Sequence, residues 1–381
     1  MDLNDTASDT PSDTPSLCLD LDRLDHNLHR MQARADALGV ALRPHVKTHK
    51  CAQIALQQRA LGAQRITVST LKEAEFFFAQ GFHDILYAVA IAPQKLPRAL
   101  ALQQSGCRLT LLVDGVAGAL AVAAFCAAQG QALDVMLEVD TDGHRAGLAP
   151  EGEDLLLAAA ALVPHARLAG VMTHAGGSYN LHDPVALAAA AEQERAGCVR
   201  AAQRLREAGH TCLAVSVGST PTALSAVSLA GVTELRAGVY SFFDLVMLGT
   251  GVCSRDELAL SVRSTVIGHQ AERQRVLIDA GWMAMSRDRG TQSQAQDWGY
   301  GALRDPLTGR WLDDLQFASA NQEHGVLQAA PGVDVLQAFP VGMVLEILPN
   351  HACATAAQFA DYTLLQRGVP TGDRWPRLNG W

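Results

Sequence analysis

Ala41-Leu-Arg-Pro-His-Val-Lys-Thr-His-Lys50 is the stretch on which the reading of this chain turns. Residues 39–46 are apolar apart from Arg43 and His45, and Pro44 forbids a helix interior there. The segment therefore reads as a short buried strand ending at Lys47. Helical spacing resumes beyond it with Ile54, Leu56 and Leu61. An ammonium at the mouth of a buried strand must stay solvated or paired. One use for it is a Schiff base to a carbonyl cofactor, with cationic neighbours such as Arg43 making the neutral amine accessible. The alternative is a rim lysine pointing into water, and the rest of the chain weighs between the two.

Outward from this strand the same alternation repeats. Strands are expected at 41–46, 65–69, 84–88, 108–113, 134–139, 168–173, 213–217 and 234–239, with helical spacing between them. Leu24, Leu28, Met31 and Leu38 form one helical face with Asp22 placed as its cap, and Thr70-Leu-Lys-Glu73 is a capping box. Eight strands alternating with helices predict a parallel (β/α)8 TIM-type barrel over 22–252. A doubly wound open sheet would carry a glycine fingerprint after its first strand, and 43–50 has none. Beyond about 253 the pattern changes to strands at 260–267, 275–279, 326–328, 341–348 and 361–366, separated by Gly, Pro and Asp turns. A C-terminal mostly-β domain running to 381 is expected there. Residues 1–16 hold a tandem Ser-Asp-Thr-Pro and few apolar groups, which predicts a flexible tail.

Hydrophobic residues make up 49% of the 381, enough for a substantial core. A net charge of −9 without a basic run argues against nucleic acid as a partner. The apolar stretches 116–128 and 155–163 are too short to span a bilayer, which argues against a membrane partner. Eight scattered cysteines and an acidic N-terminal stretch predict a reduced, cytoplasmic enzyme.

In a barrel of this kind, chemistry collects at the C-terminal ends of the strands. Those ends hold Lys47, Ser69, Asp114, the 140–145 loop with Arg145, His174, Gly218-Ser219-Thr220 and Tyr240. Small residues with backbone N–H groups at a helix start suit an anion, with Ser219 and Thr220 adding hydroxyls and Gly238 on the next strand end completing a phosphate cradle. An ordinary turn with Pro221 in the first helical turn is the competing reading. His174 could stack on a flat ring and Tyr179 could donate to it, or His174 is a buried histidine satisfied by backbone. Arg145 is either a ligand of the site or a loop ion-pair partner. His351 and Cys353 lie two apart, so an extended segment would project both to one face. Imidazole with thiolate suits zinc best, with another divalent ion possible. Two protein ligands are too few for a structural site but leave room for water and substrate in a catalytic one.

Taken together, Arg43-Pro-His-Val-Lys-Thr-His-Lys50, Thr173-His-Ala-Gly-Gly-Ser-Tyr179, Gly218-Ser-Thr-Pro-Thr222, Gly238-Val-Tyr240, Glu323-His-Gly325 and Pro349-Asn-His-Ala-Cys353 resemble one family. It is the eukaryotic-type D-serine dehydratase and D-threonine aldolase group of fold-type III, alanine-racemase-like, pyridoxal-phosphate (PLP) enzymes. The resemblance implies a PLP-bearing barrel, a β-domain to which 17–21 adds a strand, and a homodimer with composite sites. By motif, Lys47 matches the Schiff-base lysine. Arg145, His174, Tyr179, Gly218, Ser219, Thr220, Gly238, Val239 and Tyr240 match the cofactor's surroundings, and His351 and Cys353 match ligands of a divalent metal (Zn, Mn, Co or Mg). The implied reaction is elimination of water from a β-hydroxy D-amino acid (D-threo-3-hydroxyaspartate or D-serine), giving a keto acid and ammonia. Cleavage of Cα–Cβ by an aldolase is the alternative, although the aldolase branch carries an aspartate where this chain has Cys353. A non-catalytic PLP-binding protein would need no second domain, and racemisation would need no metal.

Overall fold

The computed structural model describes residues 13–381, so most of the expected 1–16 tail lies outside the described residues. Its described end is ordered by contacts: the Thr14 hydroxyl donates to Asp279 Oδ2 at 2.6 Å, and Ser16 already begins a strand.

Two compact units are present. The first, Asp22–Ala259 with Trp375–Trp381, contains eight parallel strands: β2 (Ala41–Leu42), β3 (Ile66–Val68), β4 (Asp84–Ala90), β5 (Arg108–Val113), β6 (Asp134–Glu138), β7 (Arg167–Met172), β8 (Ala214–Val217) and β9 (Glu234–Leu235). Their order is β2-β9-β8-β7-β6-β5-β4-β3. Backbone bonds close the ring: Val46 N–H donates to Thr67 O at 2.9 Å and Thr67 N–H to Pro44 O at 2.8 Å. The expected barrel is therefore the observed one, with the helix Leu21–Ala37 before its first strand and helices such as Leu71–Ala79, Val116–Gln129 and Pro184–Glu207 between its strands. Leu86, Leu112, Met136 and Met172, one from each of four successive strands, pack as a buried cluster.

Local chemistry explains where the expectations shift. The regular ladder along 41–46 covers only Ala41–Leu42. Beyond it Arg43 and His45 N–H still donate to Leu235 O and Ala237 O, while Pro44, with no N–H to give, only accepts from Thr67 next to the bridge from His45 to Thr67. Thr70 caps its helix by accepting from Glu73 N–H at 3.0 Å, and Glu73 reaches back to Ser69 N–H at 3.0 Å. Asp22 sits inside the first helical turn rather than capping it, and Ala35 takes the buried place expected of Leu38. One end of the ring carries a network of charges. Arg43 donates to Glu234 and to Asp84, both at 2.9 Å, and Arg65 and Arg108 add to it. Burial pushes the Glu234 carboxyl up, but Arg43, Ser216 and Arg236 outweigh that and leave it below its usual range.

The second unit holds β1 (Ser16–Asp20) and β10 (Leu260–Gln270), β11 (Arg275–Ile278), β12 (Ala302–Arg304), β13 (Leu315–Ala320), β14 (Gly325–Ala329), β15 (Val344–Leu348), β16 (Asp361–Gln366) and β17 (Val369–Pro376). β1 pairs with β10, β10 with β11 and β15, β11 with β14, β12 with β15 and β13 with β14 antiparallel, and β1 pairs with β16 parallel. The sheet runs β13-β14-β11-β10-β1-β16-β17, with β15 on β10 and β12 on β15. Glu346 is buried here between Arg263 and Arg304.

Residues 253–259 and 375–381, expected in the β-domain, group with the barrel unit. Hydrogen bonds account for this: Ala259 N–H donates to Phe242 O, Asn27 to Glu257 O, and Leu378 N–H to Lys50 O.

Candidate active site

Lys47 lies in the turn that follows β2, with its side chain exposed. The turn is closed by Lys50 N–H donating to Val46 O at 2.7 Å, and Val46, Thr48 and His49 are buried beneath it. Lys47 N–H donates to His45 Nδ1 at 3.4 Å. His45 and His174 both feel the Lys47 ammonium. Burial, then Lys47, then Arg236 and His174 hold the His45 imidazole well below its usual range. Burial, Lys47, Arg145 and Arg236 bring His174 down to about 3, against the opposing pull of its bond to Gly218. Neutral imidazoles thus share a site with three cationic side chains.

His174 follows β7. Its Nδ1–H donates to Gly218 O at 3.0 Å, which fixes the tautomer and leaves Nε2 carrying the ring's lone pair. The Tyr179 ring lies 6.1 Å from the imidazole, tilted by 47°. Arg145 is exposed and pairs with buried Glu138 at 3.2 Å. Burial raises the Glu138 carboxyl despite Arg145 and Arg236. Asp142 Oδ2 accepts from Gly177 N–H at 2.9 Å, and a side chain at Gly176 would meet His144 Cδ2 at 2.5 Å. The loops bearing Arg145 and His174 are therefore stitched together.

Gly218-Ser219-Thr220 follows β8. Gly218 has φ +132°, and a Cβ there would meet Arg236 O at 2.1 Å, so only glycine fits. Ser219 caps the short helix Thr220–Ser225, accepting from Thr222 N–H at 3.2 Å, and its hydroxyl lies 2.8 Å from that of Ser178. Thr220 Oγ1 accepts from Tyr240 N–H at 3.3 Å. Both hydroxyls expected as donors for an anion are thus also engaged within the protein. Gly238, Val239 and Tyr240 follow β9. A Cβ at Gly238 would lie 2.8 Å from Thr48 Oγ1 and 3.0 Å from His45 O, so this glycine lets the last strand end abut the Lys47 turn. Val239 is buried, and the buried Tyr240 hydroxyl accepts from Gln58 Nε2 at 2.9 Å.

Buried charges that sequence reasoning missed hold these loops. Glu194 Oε1 accepts from Ala175 N–H and from Gly218 N–H, each at 3.0 Å, joining the loops after β7 and β8. Arg236 donates to Ser216 Oγ at 2.6 Å and to Thr173 O at 2.5 Å. Glu194 lies in the polar run Glu192-Gln193-Glu194-Arg195 and Arg236 stands two residues from Glu234, so neither was marked out by an apolar setting.

His351 and Cys353 belong to the second unit. The segment is not extended throughout as expected: His351 is extended at the N-cap position, without a side-chain capping bond, and Cys353 lies in the helix Ala352–Ala356 that follows. His351 Nδ1 lies 2.8 Å from Asp288 Oδ2, and the bond to His351 lowers the Asp288 carboxyl. A carboxylate holding one imidazole nitrogen and presenting the other is the arrangement common to histidines that bind metals. Among the described residues there is no group of three or more His, Cys, Asp or Glu side chains that could hold a metal ion. Among the described residues no helix is long and apolar enough to cross a membrane.

Comparison with known proteins agrees with the architecture. The family model "Alanine racemase, N-terminal domain" matches residues 19–246, and "Putative serine dehydratase domain" matches 259–365. The chain is 57% identical to D-threo-3-hydroxyaspartate dehydratase of Delftia sp. (strain HT23), covering 95% of this chain and 96% of that one. It is 31% identical to D-serine dehydratase of Dictyostelium discoideum, over 89% and 90% of the two chains. The solved structure of a cysteine-to-alanine variant of D-threo-3-hydroxyaspartate dehydratase, in its metal-free form, superposes with a TM-score of 0.94 at 56% identity, over 97% of this chain and 98% of that one. The chain belongs to the alanine-racemase-like family of enzymes that join this N-terminal barrel domain to a serine dehydratase domain.

Proposed function

We propose that this protein is a PLP- and divalent-metal-dependent lyase that removes water from a β-hydroxy D-amino acid, D-threo-3-hydroxyaspartate first among them, to give a keto acid and ammonia. The observation that carries this is the exposed Lys47 amine at a strand end, set among Arg145, Arg236 and two imidazoles kept neutral. That charge balance fits an anionic aldehyde cofactor and a carboxylate-bearing substrate. Lys47 Nζ is the amine that would hold PLP, with the backbone around Gly218, Ser219, Thr220, Gly238 and Val239 facing its phosphate and His174 and Tyr179 beside its ring. His351 and Cys353 would hold the metal. Bound there, the cofactor supplies an electron sink for the charge left at the α-carbon and the metal supplies Lewis-acid assistance to loss of the β-hydroxyl.

The protein's own side chains do the rest. Lys47 Nζ, as a free amine at the strand end, would be the base that takes the α-proton. His174, with its tautomer set by Gly218 O, accepts at Nε2 and adds no charge to a site that already holds three cations. Glu138 restrains Arg145 so that the guanidinium stays at the rim. The soft thiolate of Cys353 favours zinc, with manganese, cobalt or magnesium as other candidates. We further propose that the enzyme works as a cytoplasmic homodimer, which sedimentation of the purified protein checks for the assembly. Incubation with D-threo-3-hydroxyaspartate, D-serine and D-threonine tests the function. Keto acid and ammonia are expected, whereas glycine and an aldehyde as main products would replace this reading with the aldolase one.

A further inference from the structure

The last seven described residues, 375–381, include the final two of β17 and belong to the barrel unit, where they meet the turn that carries Lys47. Leu378 N–H donates to Lys50 O at 2.8 Å. Lys72 Nζ donates to Asn379 O at 2.6 Å, and Lys50 Nζ stands 5.9 Å from the Trp381 ring centre. Arg377 is buried, close enough to bias both His49 and Cys51, and donates to Asn379 Oδ1 at 2.5 Å.

Lys50 is the hinge of this arrangement. It is not glycine, yet its φ is +47°, a conformation that persists only where the surroundings over-determine it. Three contacts do so: its N–H closes the turn on Val46 O, its carbonyl accepts from Leu378, and its ammonium pairs with buried Glu73 at 3.1 Å. Glu73 also holds Ser69 N–H on the neighbouring strand end. Removing the Leu378 contact would leave the strained residue one restraint short, three positions from Lys47.

We infer that segment 375–381 is a positioning element for Lys47, acting through Leu378 N–H on the Lys50 carbonyl. The inference rests on the reading of Lys47 as the cofactor-bearing amine. Leu378 touches neither substrate nor cofactor in this account, and its part is to hold the turn so that the Lys47 amine meets an incoming aldehyde in one geometry.

The test compares Leu378→Pro, which lacks the N–H, with Leu378→Ala, which keeps it, and with a chain shortened after Pro376. Two properties are read on each full protein. In the cofactor-free protein, amide exchange across 46–50 should rise about 5-fold in Leu378→Pro and in the shortened chain, the equivalent of one net hydrogen bond, and stay unchanged in Leu378→Ala. On adding PLP, the rate of borohydride-trapped attachment to Lys47 at saturating PLP should fall about 10-fold in the same two variants, within the roughly 100-fold that a misplacement of about 1 Å can cost. The PLP concentration for half-saturation should not move. Unchanged exchange overturns the tether, and raised exchange with an unchanged attachment rate overturns the positioning role. If the wild-type protein attaches PLP at another lysine, the reading of Lys47 fails instead, and the exchange arm still decides whether the segment holds the turn.

Discussion

Replacing Gly238 by alanine tests how tightly the ninth strand end is fitted against the Lys47 turn. The added Cβ would sit 2.8 Å from Thr48 Oγ1, 3.0 Å from His45 O and 3.3 Å from His45 Cβ, where ordinary contact begins at about 3.4 Å. Relief requires a shift of about 0.6 Å between the strand end and the turn. Thr48 is fully buried, so it cannot swing into solvent, and His45 is held by its bond to Ala237 O at 2.8 Å. Overpacking of this kind costs about 1–3 kcal/mol of stability. The displaced turn carries Lys47, so trapping of PLP there should also slow, by about 10-fold. Gly268→Ala is the control, because its Cβ would meet only Leu277 Cδ1 at 3.8 Å, and it should stay within about 0.5 kcal/mol of the wild type. Urea unfolding of the cofactor-free proteins and rapid-quench borohydride trapping measure the two effects. Wild-type stability and trapping rate in Gly238→Ala would refute the contact between these two strand ends.

Three further outcomes are expected. Stability of the cofactor-free protein should fall in acid: His49 and His174 are held near 3 in the fold against about 6.5 in the unfolded chain, so the unfolded state takes up protons first. The stabilisation is complete above about pH 6.5 and is lost as pH falls from there toward 3, at up to about 1.4 kcal/mol per pH unit for each histidine. His49→Gln should flatten the urea midpoint between pH 7.5 and 5.5, and a wild-type midpoint that is already flat counts against buried neutral imidazoles. A chelator should abolish turnover while leaving the cofactor's visible absorption nearly intact, with zinc, manganese or cobalt restoring activity; full turnover in metal-free protein would make His351 and Cys353 structural. Asp288→Asn should loosen metal retention by about 10- to 100-fold by releasing the His351 ring, as equilibrium dialysis would read, and unchanged retention would separate that carboxylate from the metal.

Much of the barrel was legible because each strand–helix unit carries its own signal. Arg108–Val113 and Asp361–Gln366 read as uninterrupted apolar or alternating runs, and their observed bounds are the expected ones. Strands that depend on distant partners were not legible. Ala302–Arg304 is too short to show a period, and Val369–Pro376 contains Pro370, Gly372 and Pro376, which punctuate a turn in any local reading. Its residues are mostly exposed, as suits an edge strand that tolerates such residues. At the site, glycines and hydroxyls after the strands could be seen as a set. What they touch could not. Gly238 is glycine because Thr48 approaches it from nearly the far end of the barrel sequence, and His351 is oriented by Asp288 across 63 positions. The expected common face of His351 and Cys353 rested on an extended segment, and the chain instead enters a helix at Ala352, directly after His351.

The most direct test of the proposed chemistry is turnover of D-threo-3-hydroxyaspartate carrying deuterium at the α-carbon, followed by separate quantification of keto acid, ammonia and glycine. Dehydration must break the α-bond to hydrogen, so keto acid and ammonia are expected in equal amounts, formed more slowly than from the protiated substrate or with the label passing to solvent. Lys47→Ala should abolish both products. Glycine that retains the α-deuterium, with an aldehyde as its partner product, would contradict dehydration and establish Cα–Cβ cleavage.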